Sequence, residues 1–584
     1  MKTERARGMP LSRRRFVQGL ALGGVAAGLG WTPGRAQVLG APRTELRGTT
    51  FDLTIGELAV DFTGRRRRAT VVNGQLPAPL LRWRQGDTVT LCVRNALPMT
   101  SSIHWHGIVL PADMDGVPGL SFAGIPPGGA YVYRFAVNQA GTYWYHSHSR
   151  FQEQTGLYGP IVIEPRGGER HAADRDYVVL LSDWTDEDPE RIYANLKQQS
   201  DYYNTARPTA GEFLRDARTR GLAAALGERR MWQRMRMDPS DLADVSAMTY
   251  TYLLNGSPPA APWSGLFAAG ERVRLRFING SSMTFFDVRI PGLTMTVVAA
   301  DGQDVEPVSV EECRLGVAET LDVIVQPAAD RAWTIFAQSM DRSGYACGTL
   351  TPHPGLRAPV PALDPRPRLA MIDMMGAMAM ADAMDMASAP MSADAGGGMD
   401  HAGMAMDHAH DGAASAAPVL ATGPEADMRV AQPRTNLDDP GVGLRDNGRR
   451  VLTYADLRTL DAPIAPRVDR ELTLRLTGNM HRYLWSFDAT RFSRAPPLRL
   501  AQGEQVRITL INDTMMTHPI HLHGMWSELE DEDGRFQLRK HTLSVQPAQQ
   551  LSYRICADAL GRWAYHCHLL YHMEAGMFRE LVVA

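Results

Sequence analysis

Ten of the 17 histidines fall in four short clusters. These are His104-Trp105-His106, His146-Ser147-His148, His518-Pro519-Ile520-His521-Leu522-His523, and His566-Cys567-His568 with His572 and Met577 just beyond. In an extended strand, residues i and i+2 face the same side. Each H-x-H therefore aims two imidazoles at one point, as a shared metal site requires. Cys567 must face the other way from His566 and His568. A thiolate on one metal, flanked by imidazoles on another, makes a short covalent conduit between two sites. His518, Cys567, His572 and a weak axial Met577 form a His₂Cys(Met) set, the ligand pattern of a blue-copper electron-transfer site. Eight histidines remain (104, 106, 146, 148, 521, 523, 566 and 568), which suits three coppers in a two, three, three arrangement. A structural zinc closes with four ligands and has no use for eight imidazoles.

Such sites need rigid strands to carry them, and the sequence supplies them. Val89–Val93, Tyr131–Phe135, Gly159–Ile163, Val273–Ile278, Leu321–Val325, Gln505–Leu510 and the C-terminal Leu581–Val583 are short runs rich in β-branched and aromatic residues. A pattern x-Gly-[Asp/Glu]-x-Val, then an alternating strand, then Asn occurs three times, from Gly86 to Asn95, Gly270 to Asn279 and Gly503 to Asn512. Three copies of one β-sandwich are expected, over about 44–166, 175–350 and 450–584. Residues 186–243 carry apolar positions at helical spacing and are predicted to be a helical insert in the second unit. Residues 369–428 contain no Lys, Arg or aromatic residue, and 11 of the 29 methionines lie between Met371 and Met406. Such a stretch buries too little apolar surface to offset its ordering entropy and is predicted to be a flexible linker. Within it Met399-Asp400-His401 recurs as Met406-Asp407-His408, with Met404 between and His410 after. Thioether, carboxylate and imidazole on one acidic tether could gather copper of either valence.

Composition excludes one large class. With 61 basic and 64 acidic residues the net charge is −3, whereas a nucleic-acid partner calls for a basic excess. Ser12-Arg13-Arg14-Arg15-Phe16-Val17, the apolar Leu20–Leu29 and the small-residue site Gly34-Arg35-Ala36 read as a twin-arginine signal peptide over 1–36. The expectation is a folded protein exported to the periplasm by the twin-arginine machinery, monomeric, with no membrane span in the mature chain.

The four clusters resemble those of the multicopper oxidases. The stretches His518–Trp526 (HPIHLHGMW), His566–Phe578 (HCHLLYHMEAGMF) and Thr477–Phe487 (TGNMHRYLWSF) are similar to the copper-resistance branch of that family, called CopA. The resemblance implies an all-β fold of three cupredoxin-like Greek-key β-sandwiches, with a trinuclear copper cluster between the first and third. It implies four coppers per chain: one type 1, one type 2 and two type 3. By position, His104 and His521 match the type 2 ligands. His106, His146 and His568 match one type 3 copper, and His148, His523 and His566 the other. Asp115 matches a carboxylate that relays protons near the cluster. Where some relatives place a second carboxylate directly after the histidine matched by His572, this chain has Met573, so Glu574 and Glu153 are the candidates for that role. Met516 matches a substrate-copper position, and Asp513 lies one residue from the corresponding carboxylate.

The implied reaction takes single electrons from a reductant and reduces O₂ to water. Cu(I), for copper tolerance, is the expected reductant. A laccase-like oxidase of phenols or aromatic amines and a non-enzymatic copper sequestrant are the alternatives. If Cys567 is a metal ligand, four cysteines remain and three pairings exist. Cys313 with Cys347 in the middle unit, and Cys92 with Cys556 between the outer two, is the expected one.

Overall fold

Strict alternation of exposed and buried residues marks the outer strands. Thr50–Val60 and Gln550–Cys556 each bury every second side chain, as a sheet with one wetted face must. The strands carrying the histidines break this rule. His104–His106, His518–Leu522 and the second half of Gly561–Cys567 are buried at every position. One of their faces packs into a sandwich core and the other into the contact between units.

A computed structural model describes residues 44–235, 237–377 and 423–584. Six sheets pair into three β-sandwiches. The first joins a five-stranded and a four-stranded sheet, and the second and third each join a six-stranded and a five-stranded sheet. Register places the ligand candidates opposite one another: His104 faces His146, His521 faces His566, and Ile520 faces Cys567.

The repeated asparagine explains the threefold pattern. The Nδ2 of Asn95 donates to the carbonyls of Met99 and Ile125, that of Asn279 to Thr284 and Leu315, and that of Asn512 to Met516 and Val545. Each closes the loop that follows its strand. In the third unit that loop ends at His518, so the staple fixes where the first histidine of the cluster starts.

The insert is helical, with helices at Pro189–Gln198, Ala210–Arg220 and Leu222–Met235. Asp188 caps the first through the N–H of Glu190, with Pro189 at the first helical position. Thr209 and Glu212 form a capping box on the second. The first helix leans on the third sandwich, where Lys197 donates to the carbonyl of Tyr483.

Two expectations are corrected. The segment 369–428 is packed at both ends. Leu369 and Met374 are buried, Ile372–Met375 makes a helical turn, and the buried Asp373 pairs with Arg445. At the far end Asp427 accepts from the N–H of Met480, and Val430 donates to Asp513. Specific ion pairs and capped donors order these ends despite their composition. The signal segment 1–36 and the residues Met399, His401, Met404, Met406, His408 and His410 lie outside the described residues. The second correction concerns the cysteines, all five of which are free. Cys313 and Cys347 sit on strands of one sheet separated by two others. Three strand spacings put them about 14 Å apart, twice the reach of a disulfide. Cys92 and Cys556 lie mid-sheet in separate sandwiches, each paired only through its backbone.

Asn279 holds two buried carbonyls in the unit that has no histidine cluster. Its replacement by Ala should lower the unfolding free energy by at least about 2 kcal/mol, read as a reduced midpoint in chemical denaturation, with the visible spectrum of the copper-loaded protein retained.

Candidate metal centre

Buried imidazoles converge in two groups. The first joins His518, Cys567 and His572. The Cys567 Sγ lies 3.5 Å from His518 Nδ1 and 3.9 Å from His572 Nδ1, and the two nitrogens are 3.2 Å apart. Each ring is anchored by its other nitrogen, His518 Nε2 by Thr514 Oγ1 at 2.7 Å and His572 Nε2 by Asp244 Oδ2 at 2.6 Å. Trp485 stacks on His572 with ring centres 3.9 Å apart. Met577 is fully buried, and its backbone bonds to both Cys567 and His572.

The second group holds the other eight histidines, and the same anchoring runs through it. The Nδ1 of His104 points at the Asp115 carbonyl, that of His521 at the His541 carbonyl, and that of His566 at the Cys567 carbonyl. His523 Nδ1 reaches Asp115 Oδ2 at 2.9 Å, and His146 Nδ1 reaches Glu153 Oε2 at 2.5 Å. His106 is turned the other way, with Nε2 held by His541 Nδ1 and Thr542 Oγ1. An N–H donated outward leaves the inward nitrogen as a bare lone pair. Those inward atoms face one another. His523 Nε2 and His566 Nε2 are 3.0 Å apart, and His568 Nε2 and His146 Nε2 are 3.3 Å apart. The inward Nε2 of His104, His148 and His521 and the inward Nδ1 of His106 are buried with no partner.

Burial, reinforced by neighbouring imidazoles, holds His106, His146, His148, His521, His523 and His568 well below the usual histidine range, and lowers His566 to about 4. They are neutral ligands at any physiological pH. Burial pushes the Cys567 thiol up; only an adjacent cation makes the thiolate its stable form. Paired lone pairs at 3 Å and a buried thiol beside two imidazoles fit bound copper ions.

The carboxylates divide differently from expectation. Asp115 is buried between His104 and His523, its Oδ1 otherwise without a partner. Gly116 makes this possible. Its φ of +80° and its close approach to the Ile103 carbonyl leave no room for a Cβ. Glu574 does not reach the cluster. Its carboxylate pairs with Arg150 at the surface, because the short helix Leu570–Ala575 turns it away from the face that carries His572. Glu153 takes the inner place, against His146, where burial and then Asp183 raise its carboxyl well above the usual range. Asp513 is locked by Arg475, at 2.7 Å from Nη2, and by the N–H of Val430. Met516 is buried in the core.

Three residues escaped the sequence reading: His541, Asp301 and Asp244. His541 sits in no histidine motif, yet touches His106 with its ring and His521 with its carbonyl. Asp301 of the middle sandwich accepts from the backbone N–H groups of His541 and Thr542 and so holds that contact in place. Asp244 comes from the end of the insert. None had a local signal, since each acts on a residue more than 200 positions away.

Comparison with known proteins accords with this geometry. Residues 54–168, 175–352 and 466–584 match three multicopper oxidase family profiles. The chain is 57% identical to a Copper resistance protein A homolog of Pseudomonas syringae pv. tomato, across 98% of this chain and 99% of that one. The chain belongs to the multicopper oxidase family. The Copper resistance protein A of Escherichia coli is likewise 57% identical over 98% of this chain and 99% of its own length. The solved laccase of Botrytis aclada shares the fold, with a TM-score of 0.62 at 20% identity, over 93% of this chain and 88% of that one. As a multicopper oxidase, the protein is a copper-containing oxidoreductase with O₂ as acceptor, using type 1, type 2 and type 3 sites.

Glu153→Gln should reduce oxygen consumption or copper retention by about ten-fold or more, because it removes the charge holding His146. Glu574→Gln loses only an exposed ion pair worth up to ~1 kcal/mol and should leave turnover near the parent value. Steady-state oxygen uptake and a copper count on both variants check the contrast.

Proposed function

We propose that this oxidase couples one-electron oxidation of Cu(I) to the reduction of O₂ to two waters, in the service of copper tolerance. The observation that carries the reading is the pair of sites joined by one strand. Cys567 faces His518 and His572, while His566 and His568 on either side face the eight-histidine group. The close relatives named for copper resistance support the choice of substrate.

In this reading His518, Cys567, His572 and Met577 hold the type 1 copper, and His104 and His521 the type 2. His106, His146 and His568 hold one type 3 copper, and His148, His523 and His566 the other. Bound copper supplies one-electron transfer at the cysteine site and four-electron reduction of O₂ at the histidine site. The chain does the rest. The strand Gly561–Cys567 gives a covalent path between the two. The outward anchors keep every imidazole from rotating as charge moves. Asp115, with Oδ1 unbonded beside His104, holds and passes protons to the site, and Glu153 does so from the His146 side. Each carboxylate carries one oxygen without a partner.

The protein is read as a periplasmic monomer delivered by the twin-arginine machinery. No helix among the described residues is long and apolar enough to cross a membrane.

Cys567→Ser should abolish the intense blue absorption and oxygen uptake with both Cu(I) and 2,6-dimethoxyphenol. Copper tolerance of a host carrying this variant should fall to that of a host lacking the gene. Undiminished tolerance would make the protein a sequestrant instead. Deletion of residues 378–410, which spares the packed turn at Ile372–Met375, should lower the number of coppers bound beyond four and leave the blue colour intact, measured by metal analysis and visible spectroscopy.

A further inference from the structure

Beside the cysteine site, where the insert meets the third sandwich, lies a cleft of about 460 Å³ with an unusual lining. Its wall includes two buried thioethers, Met480 and Met515, and the buried carboxylate of Asp241. Met237, half-buried, and the exposed His481 also line it. The residues come from distant parts of the chain, and the cleft exists only when the insert is docked.

Asp241 is the independent pointer to a ligand. It is 3% exposed, and its Oδ1 has no hydrogen-bond partner. Burial, then the charges of Asp244, Asp238 and Asp201, push its carboxyl well above the usual range, and Arg207 alone opposes them. Asp201 is already paired with Arg207 at 3.0 Å, and Asp238 accepts from both the N–H and the hydroxyl of Ser240. Asp241 therefore lacks a cation of its own. An unpaired buried carboxylate is costly, and a cation in the cleft would relieve it. Thioethers select a soft cation over Mg²⁺ or Ca²⁺.

The cleft is also wired to the redox centre. Asp244, three residues beyond Asp241, places Oδ2 2.6 Å from His572 Nε2. The same oxygen accepts from the hydroxyl of Tyr483 at 2.8 Å, on the turn that carries Met480. Met515 adjoins Thr514, whose hydroxyl anchors His518. Asp513 and Met516, the pair suggested by resemblance, do not line the cleft.

We propose that Cu(I) binds here as substrate, held by Met480, Met515 and Asp241, received at the rim by Met237 and His481, and oxidised through Asp244 and His572. This rests on the cuprous-oxidase reading above. Each Cu(I) gives up one electron and leaves as Cu(II). Four such electrons, with four protons, reduce one O₂ to two waters. Oxidation also aids release, because thioethers hold the harder Cu(II) less well.

The test uses the full-length, copper-loaded protein. Crystals soaked in Ag(I), a soft cation that is not oxidised, should show an anomalous peak between Met480, Met515 and Asp241. Met480→Leu/Met515→Leu and, separately, Asp241→Asn should raise the KM for Cu(I) at least ten-fold relative to that for 2,6-dimethoxyphenol. Retention of the blue absorption shows that each variant is folded. An empty cleft in the soaked crystal, or an unchanged KM ratio in both variants, overturns the site. Silver in the cleft of a parent chain that fails to oxidise Cu(I) keeps the site and removes the oxidase reading. Normal Cu(I) turnover in the variants does the reverse.

Discussion

Burying ten imidazoles and a thiol is tolerable only if the nitrogen facing away from the metal is satisfied. Eight of the ten rings meet this condition: His104, His106, His146, His518, His521, His523, His566 and His572. The outward bond does two things at once. It removes the cost of a stranded donor, and it decides which nitrogen keeps its lone pair. The flipped ring of His106 follows the same rule, since its outward partners lie on the Nε2 side. Much of the surrounding architecture can be read as the means of delivering those partners.

The partners are drawn from every part of the chain. Asp115, from a turn of the first sandwich, serves a ring of its own unit and one of the third. Asp301 brings the middle sandwich into the site without contributing a ligand, by gripping the backbone beside His541. Asp244 brings in the insert. Joining three sandwiches around one buried group is what forces the ligand strands to be covered on both faces. They therefore lose the exposed–buried alternation that marks the outer strands.

Period-two reasoning was enough to place His566 and His568 on one side of their strand and Cys567 on the other, because that geometry is local. The repeated Gly…Asn pattern was legible for the same reason, although the carbonyls it closes became apparent only in three dimensions. What escaped was tertiary. Glu574 is close to His572 along the chain but faces Arg150, while Glu153 is remote from the fourth cluster and meets His146. Sequence distance misleads where a single helical turn decides direction. The packed ends of the methionine-rich stretch escaped too, since composition alone does not reveal that Asp373 meets Arg445. The cysteine pairing failed because membership of one sandwich says nothing about how many strands lie between two residues.

Those unpaired cysteines have a broader meaning. A three-sandwich chain that closes without a single disulfide is indifferent to the redox state of the compartment where it folds. It can finish packing in reducing surroundings, where no stray thiol captures Cys567 in a mixed disulfide. The conduit between the two sites then reaches its metal as a free sulfur, because the fold asked nothing of the other four.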